Sequence, residues 1–313
     1  MPLIATLTMN PTIDVAYEVE KVFHTRKLRT THEYYNPGGG GINLARVFVR
    51  LGGNARAVYL SGGATGTALD GLIDLHQIVR TRVAIAGNTR IAMTTLEHST
   101  GKEYRFTPAG PTVSEAEWQA CLAMLEDIEC EWLVASGSLP PGAPADFYAR
   151  VGAIVRRRGI RMALDSSGPA LREGLAGGVD LAKPSRSELE YLAGRKLGSI
   201  AEVATAALDL VRAGHVGAVA ATLGHQGAVL ASADRAWHAP ALPIVAASAV
   251  GAGDSFLAGM IHALSAGKAL QEALRHGIAA GSAAVLRPGT DLARPADIAR
   301  LLPRVRVEEL PPG

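Results

Sequence analysis

Long apolar runs are missing: no stretch of the 313-residue chain reaches the length that spans a bilayer. Charge of one sign is missing too. A formal net charge of +2 gives no electrostatic case for nucleic acid or an anionic membrane as partner. Cysteine is scarce. Cys121 and Cys130 share one helix-like stretch without metal-ligand spacing, so they read as buried or partly buried free thiols, as a reducing cytoplasm allows. The histidines show no metal-ligand spacing, and no Gly-x-x-x-x-Gly-Lys-Ser/Thr pattern occurs, which excludes a P-loop nucleotide site. The opening Met1–Thr8 has no basic region or cleavage site of a secretory signal, and no internal repeat or low-complexity linker appears. What remains, 48% hydrophobic and 19% charged residues, describes a globular chain with one large domain and room for a small accessory piece.

The most informative stretch is Ser248-Ala-Val-Gly-Ala-Gly-Asp-Ser-Phe-Leu-Ala-Gly-Met260. An apolar run, 243–247, leads into a turn with Gly251 and Gly253, and Phe256, Leu257, Met260, Ile261 and Leu264 follow at helical spacing. A Gly-rich turn that opens a helix aims several unpaired backbone N–H groups at one point, which suits a phosphate. Asp254 stands in the same turn and would repel that phosphate. A hydroxyl held between the two resolves the conflict: the carboxylate takes its proton while the amides absorb the charge of a transferred phosphoryl group. The same residues also suit plain helix–strand packing with Asp as a cap. A dinucleotide site fits less well, because Phe256 stands at its third glycine.

The chain starts with a strand, 3–9, ended by Asn10-Pro11. Residues 12–36 and 88–107 alternate without helical period, the second as a hairpin turning at 99–102, and read as one small β lid. The rest (1–11, 37–87 and 108–313) alternates helix with strand: a helix over 115–128, strands at 132–135, 160–164 and 179–182, a helix over 200–213 and a strand at 217–221. Alternation of this kind predicts a mainly parallel sheet between two helix layers, with polar motifs past the strands' C-terminal ends. The Pro-rich tail after Leu301 is expected to be peripheral.

Further residues suit such a site. The Gly38–Asn43 turn lets a ligand approach the backbone, and Asn43 can both donate and accept hydrogen bonds; a plain hinge has the same residues. Lys27, Arg29, Arg90 and Arg105 fall in the lid, where guanidinium groups would recognise a substrate that already bears phosphate. Lys183 could meet a nucleotide phosphate and Glu188 a magnesium-bound water, while Ser185 with Glu188 also spells a capping box. Thr222–Gly227 offers a hydroxyl and amides in a turn.

Two signatures, Gly38-Gly-Gly-Gly-Ile-Asn-Leu-Ala-Arg46 and Ser248–Phe256, make the chain resemble the ribokinase-like (PfkB-type) sugar kinases along nearly its full length. Thr6-Leu-Thr-Met-Asn-Pro-Thr-Ile-Asp14 narrows the resemblance to the phosphosugar branch, and Gly40 stands where 1-phosphofructokinases and tagatose-6-phosphate kinases usually have Lys, as in the minor 6-phosphofructokinases. The resemblance implies a three-layer α/β/α sandwich with a β lid that also pairs two subunits. It implies ATP-dependent phosphorylation of fructose 6-phosphate at O1, with Mg²⁺ and a monovalent cation such as K⁺; the same chemistry on tagatose 6-phosphate or fructose 1-phosphate is the alternative, and a non-catalytic sugar-phosphate sensor a remote one. Asp254 would be the base, with Gly251, Ala252 and Gly253 as anion hole; an ordinary carboxylate with a pKa of about 4 can serve, because the proton leaves late. Asp14, Gly38, Gly39, Asn43 and Ser138 would hold the sugar, Arg90 and Arg105 its phosphate with Lys27 close by, and Arg29 would reach the partner's site. Lys183, Ser185, Glu188, Thr222, Gly224 and Gly227 would contact Mg·ATP, and backbone at Ser248, Val250, Ala284, Arg287 and Gly289 the monovalent cation. Ser185 and Ala249 depart from the family's usual Asn and frequent Thr.

Overall fold

The computed structural model describes residues 3–246, 248–286 and 291–311. In chain order the first half holds β1 (Leu3–Thr8), β2 (Thr12–Val19), β3 (His32–Gly38), α1 (Gly40–Arg50), β4 (Asn54–Ser61), α2 (Gly63–Asp74), β5 (Val79–Ala84), β6 (Arg90–Glu97), β7 (Lys102–Phe106), α3 (Glu115–Leu125) and β8 (Trp132–Ser136). The second half holds α4 (Phe147–Arg157), β9 (Arg161–Asp165), α5 (Gly168–Ala176), β10 (Val179–Ala182), α6 (Arg186–Ala193), α7 (Ile200–Arg212), β11 (Val216–Thr222), β12 (Ala228–Ser232), β13 (Arg235–Ala239), α8 (Ala252–Ser265), α9 (Leu270–Val285), α10 (Pro295–Leu301) and β14 (Glu308–Glu309).

Ten strands form one sheet in the order β14-β13-β12-β11-β10-β9-β8-β1-β4-β5. From β11 to β5 every neighbour is parallel. The central strands are apolar on both faces because helices cover both: Leu133, Val134 and Ala135 of β8 are all buried, and successive residues join two separate core clusters. The sheet is thus mainly parallel, as expected, and only beyond β11 does the pairing turn antiparallel. The turn at 223–227 is too short for a crossover helix, so β12 and β13 return antiparallel, and β14 pairs with β13. The tail is therefore part of the sheet edge, with Val305 buried in the core. Strand β5 carries alternating exposed arginines, a pattern whose weak apolar content gave no strand signal in the sequence.

The second sheet has the order β3-β2-β6-β7. Its register sorts the side chains. Asp14 pairs with Asn36 and Ala92, and Thr12 with Arg90, so Asp14, Asn36 and Arg90 share one face. Val15 pairs with Tyr35 and Met93, and Met93 with Phe106, which makes the opposite face apolar. Cys121 is buried in α3, which ends three residues earlier than expected, and Cys130 stands free beyond it. Among the described residues no helix is long and apolar enough to cross a membrane.

Candidate active site

Helix α8 begins at Gly251, whose φ of 69° is open to glycine; a Cβ there would also lie 2.3 Å from Leu292 Cδ2. The first-turn N–H groups of Gly253 and Asp254 precede any intrahelical acceptor, and the Ala252 N–H makes a long bond of 3.4 Å to Ala249 O. A Cβ placed on Gly253 would meet Lys183 Nζ at 3.5 Å, ordinary contact distance. The glycine is thus not forced by packing. It leaves room for a methyl-sized group beside the Lys183 ammonium at the first turn of α8.

Asp254 lies at the edge of this gap. Asn43 Nδ2 donates to its Oδ2 at 2.9 Å. Burial raises its pKa from the ordinary carboxylate range to about 6, and Asp165 adds to the rise; the Asn43 bond, Lys183 and Arg46 oppose it. The Asp254 carboxylate is therefore more basic than the ordinary carboxylate expected from the sequence, because the fold desolvates it. Asp14 is pushed further, to about 7, again by burial first, with Asp254 contributing and Arg46, Arg90 and Thr12 opposing. The Gly-rich turn closes on this residue: a Cβ on Gly38 would overlap the Asp14 carboxylate at 2.1 Å from Oδ2.

Lys183 is buried at the C-terminal end of β10, and its Nζ lies 3.0 Å from Asp165 Oδ1, at the end of neighbouring β9. Burial works against its charge, but Asp165, then Glu188 and Asp254, more than offset this and hold the ammonium above its ordinary range. Ser185 and Glu188 form the capping box of α6: Ser185 Oγ accepts from Glu188 N at 3.3 Å and Glu188 Oε2 accepts from Ser185 N at 2.7 Å. The bland reading of this pair is thus realised, with one carboxylate oxygen committed to the cap. Thr222 bridges to Ser185 across the sheet, and Gly224 and Gly227 have φ of 59° and 90° in the turn that follows. These six positions converge on one stretch of sheet edge.

Arg90 and Ser138 line a cavity of about 590 Å³ beside the site. Arg90 donates to Pro108 O and Asn10 O at 2.9 and 2.7 Å, and its Nε is buried without a partner. Gly39 joins β3 to α1 with φ 106°. Other positions are not brought together. Arg105 shares the face of Asp14 but stands on edge strand β7, exposed and tied to Glu103. Lys27 and Arg29 are exposed in the loop between β2 and β3, roughly 17 Å further along β2 than Asp14 at 3.3 Å per residue. Ser248 N donates to Val285 O, and Val250 N donates to Ser248 Oγ, which sets this loop beside the end of α9 where Ala284 lies. Arg287 and Gly289 lie outside the described residues. Another hollow, of about 500 Å³, opens at the N-terminal ends of β9–β11, across the sheet from every motif.

Sequence reasoning gave no role to Arg46 and none of its own to Asp165. Arg46 is 2% exposed in a helix whose neighbours Leu44, Ala45, Val47 and Phe48 are all buried. A cation at a core-facing helix position is a signal in itself, since it must be paired. Asp165 becomes legible once β9 and β10 are known to be neighbours.

An open α/β sheet with a carboxylate and unpaired amides at one helix start, beside a buried lysine and under a second small sheet, is the architecture of a small-molecule kinase. The model of the pfkB family of carbohydrate kinases matches residues 6–297, and the chain belongs to that family. It is 40% identical to the ATP-dependent 6-phosphofructokinase isozyme 2 of Mycobacterium tuberculosis over 96% of this chain and 88% of the other. The 1-phosphofructokinase of Rhodobacter capsulatus is more distant, 35% identical over 99% and 98%. Among solved structures, phosphofructokinase-2 from Escherichia coli in complex with potassium superposes with a TM-score of 0.93, at 36% identity over 97% of this chain and 99% of that one. The same Escherichia coli enzyme has been solved with fructose-6-phosphate and in a tetrameric inhibited form. The protein is a sugar-phosphate kinase.

Proposed function

We propose that the protein transfers the γ-phosphoryl group of ATP to O1 of fructose 6-phosphate, giving fructose 1,6-bisphosphate. The observation that carries this reading is the first turn of α8, where N–H groups that precede any intrahelical acceptor, the buried Asp254 and the nearby Lys183 ammonium stand together. Asp254 accepts the O1 proton as the phosphoryl group arrives in line, and Gly251, Ala252 and Gly253 with Lys183 absorb its charge. Asp14, Gly38, Gly39, Asn43 and Ser138 orient the sugar. The cavity lined by Arg90 and Ser138 takes the 6-phosphate, with the Arg90 guanidinium supplying the charge that suits it.

Magnesium arrives as part of Mg·ATP. Carboxylates and phosphate oxygens are its fitting donors, and no group of three or more such side chains among the described residues could hold a metal alone. Glu188, with Oε1 outside the capping box, would hold a metal-bound water, and Ser185, Thr222, Gly224 and Gly227 would line the nucleotide. Ser248, Val250 and Ala284 flank the loop assigned to K⁺, in keeping with the potassium complex of the Escherichia coli enzyme. A cytoplasmic setting suits an ATP-dependent reaction and two free thiols.

The small sheet serves as lid and as subunit contact. Lys27 and Arg29 stand too far along β2 to serve their own site, and the apolar face around Tyr35, Ile91 and Phe106 supplies a surface for a second copy. In such a dimer Arg29, with Lys27, reaches the partner's sugar phosphate, and closure excludes water. The division into 1–11, 37–87 and 108–313 against 12–36 and 88–107 follows this role, with β3 running on to Gly38 as the hinge.

A coupled assay for ADP release across fructose 6-phosphate, tagatose 6-phosphate and fructose 1-phosphate tests the reading. Fructose 6-phosphate is expected to have the highest kcat/KM. Preference for fructose 1-phosphate would favour the second reading, which the Rhodobacter capsulatus relative supports, and absence of turnover with all three would overturn both.

A further inference from the structure

Arg46 has a place in the site that the reaction scheme above does not use. It rises from α1 between the two sheets. Its Nη1 donates to Pro37 O at 3.0 Å and to Asn43 Oδ1 at 3.2 Å, and its Nη2 donates to Asn36 Oδ1 at 2.9 Å. Pro37 and Asn36 are the root of β3, where the small sheet joins the large one. Asn43 is the residue whose Nδ2 donates to Asp254. One guanidinium thus touches both the hinge of the small sheet and the only side chain that hydrogen-bonds the base among the described residues.

The order of these bonds matters. An Asn amide can face either way. With Arg46 donating to Oδ1, the amide must turn its N–H toward Asp254; reversed, it would set a carbonyl oxygen against a carboxylate and against no donor. As a packing element the arginine is costly, since it is almost fully buried and its Nε has no partner.

We propose that Arg46 is a positioning residue that couples the small sheet to the base: it grips the root of β3 and fixes the Asn43 amide so that it donates to Asp254. When the sheet closes over a sugar phosphate, movement at Asn36 and Pro37 is carried through this guanidinium to the amide that holds the carboxylate. The surrounding charges are consistent with this. Asp254 faces Asp165, Lys183 and Arg46, and Arg46 itself faces Asp14, Asp254, Arg50 and Asp291; burial and Arg50 lower its pKa to about 10, still charged at neutral pH. Asp14 and Asp254 are both held lower by it than burial alone would leave them.

The proposal rests on the kinase reading for its kinetic test, so a second readout is needed that does not. In the full-length protein, Arg46→Met is expected to lower kcat by about 30-fold with the KM for fructose 6-phosphate changed less than about threefold, and to move the acid limb upward by about one pH unit. Arg46→Lys keeps the charge but cannot span Asn36, Pro37 and Asn43 together; kcat is expected to fall and the acid limb to move upward, because the Asn43 bond that lowers Asp254 is lost while the charge remains. Carboxyl-carbon NMR titration of Asp254 in the free protein reads the same coupling without substrate, so a protein that phosphorylates none of the sugars still answers the question. A folded Arg46→Met protein with an unmoved Asp254 midpoint overturns the proposal. Should Arg46→Met not fold, Arg46→Lys decides: wild-type kcat or an unmoved Asp254 midpoint overturns it, and a kcat loss with a raised Asp254 midpoint and preserved KM supports it.

Discussion

The two sheets of this protein answer burial in opposite ways. Trp132 to Ser136 of β8 are all buried, and helices cover both faces of the large sheet. On the small sheet Tyr34, Tyr35, Ile91 and Phe106 are 48, 51, 44 and 56% exposed. Each such half-exposed side chain forgoes roughly 1 kcal/mol of burial. The large sheet is complete within one chain and can hold reacting groups rigidly. The small sheet has one face carrying Asp14, Asn36 and Arg90 and an opposite face with exposed apolar side chains, which is why the lid and subunit-contact roles are proposed for it.

The sharpest break of this contrast is at the edge of the large sheet. Asp254→Asn should cut kcat by about 10³-fold or more while fructose 6-phosphate binding, read by calorimetry, stays within a few-fold. Gly253→Ala should come next, lowering kcat/KM for ATP by about 100-fold while the melting temperature holds or rises, since the methyl fits the free protein and alanine favours a helix. A parallel drop in stability would show that the glycine serves packing instead. The pH profile follows: because the base must be ionised and burial raises Asp254 to about 6, kcat/KM should fall about tenfold per unit below that pH. An acid limb near 4 would mean that Asp254 is not desolvated in the free protein.

For the small sheet, the proposed dimer predicts that Phe106→Asp leaves the far-ultraviolet spectrum intact, gives a monomer in sedimentation where the wild type is an oligomer, and lowers activity by about tenfold. A stable oligomer in that variant would move the contact elsewhere. The smallest effect is on stability. A carboxyl raised by burial binds a proton more tightly folded than unfolded, so its cost appears as pH rises from about 4 through about 6; above that, Asp254→Asn should stabilise the free protein by about 1–2 kcal/mol. Chemical denaturation at pH 5 and pH 8 would show whether the gain grows with pH.

Much of the site was legible because it is written in short segments. The Ser248–Phe256 turn, the Gly38–Asn43 turn and the Ser185–Glu188 cap each do locally what their residues suggest. The lid cations were less legible. Arg90 lies on the face of Asp14 and donates to Asn10 O, but Arg105 stays with Glu103 and Lys27 and Arg29 sit in the loop beyond β2, because alternation assigns residues to a strand without saying where along it they stand. Strand β5 and the antiparallel edge escaped notice for a related reason: an exposed edge carries little apolar pattern.

By itself the sequence determined the alternation of elements, the helix starts that leave amides unpaired, and the acid placed among them, since each depends on neighbours in the chain. Only the tertiary structure decided that Asn43 meets Asp254 across 211 positions and that Lys183 faces Asp165. It also decided that burial lifts the base toward neutrality. Strand order and desolvation are properties of distant segments packed together, and no local pattern encodes them.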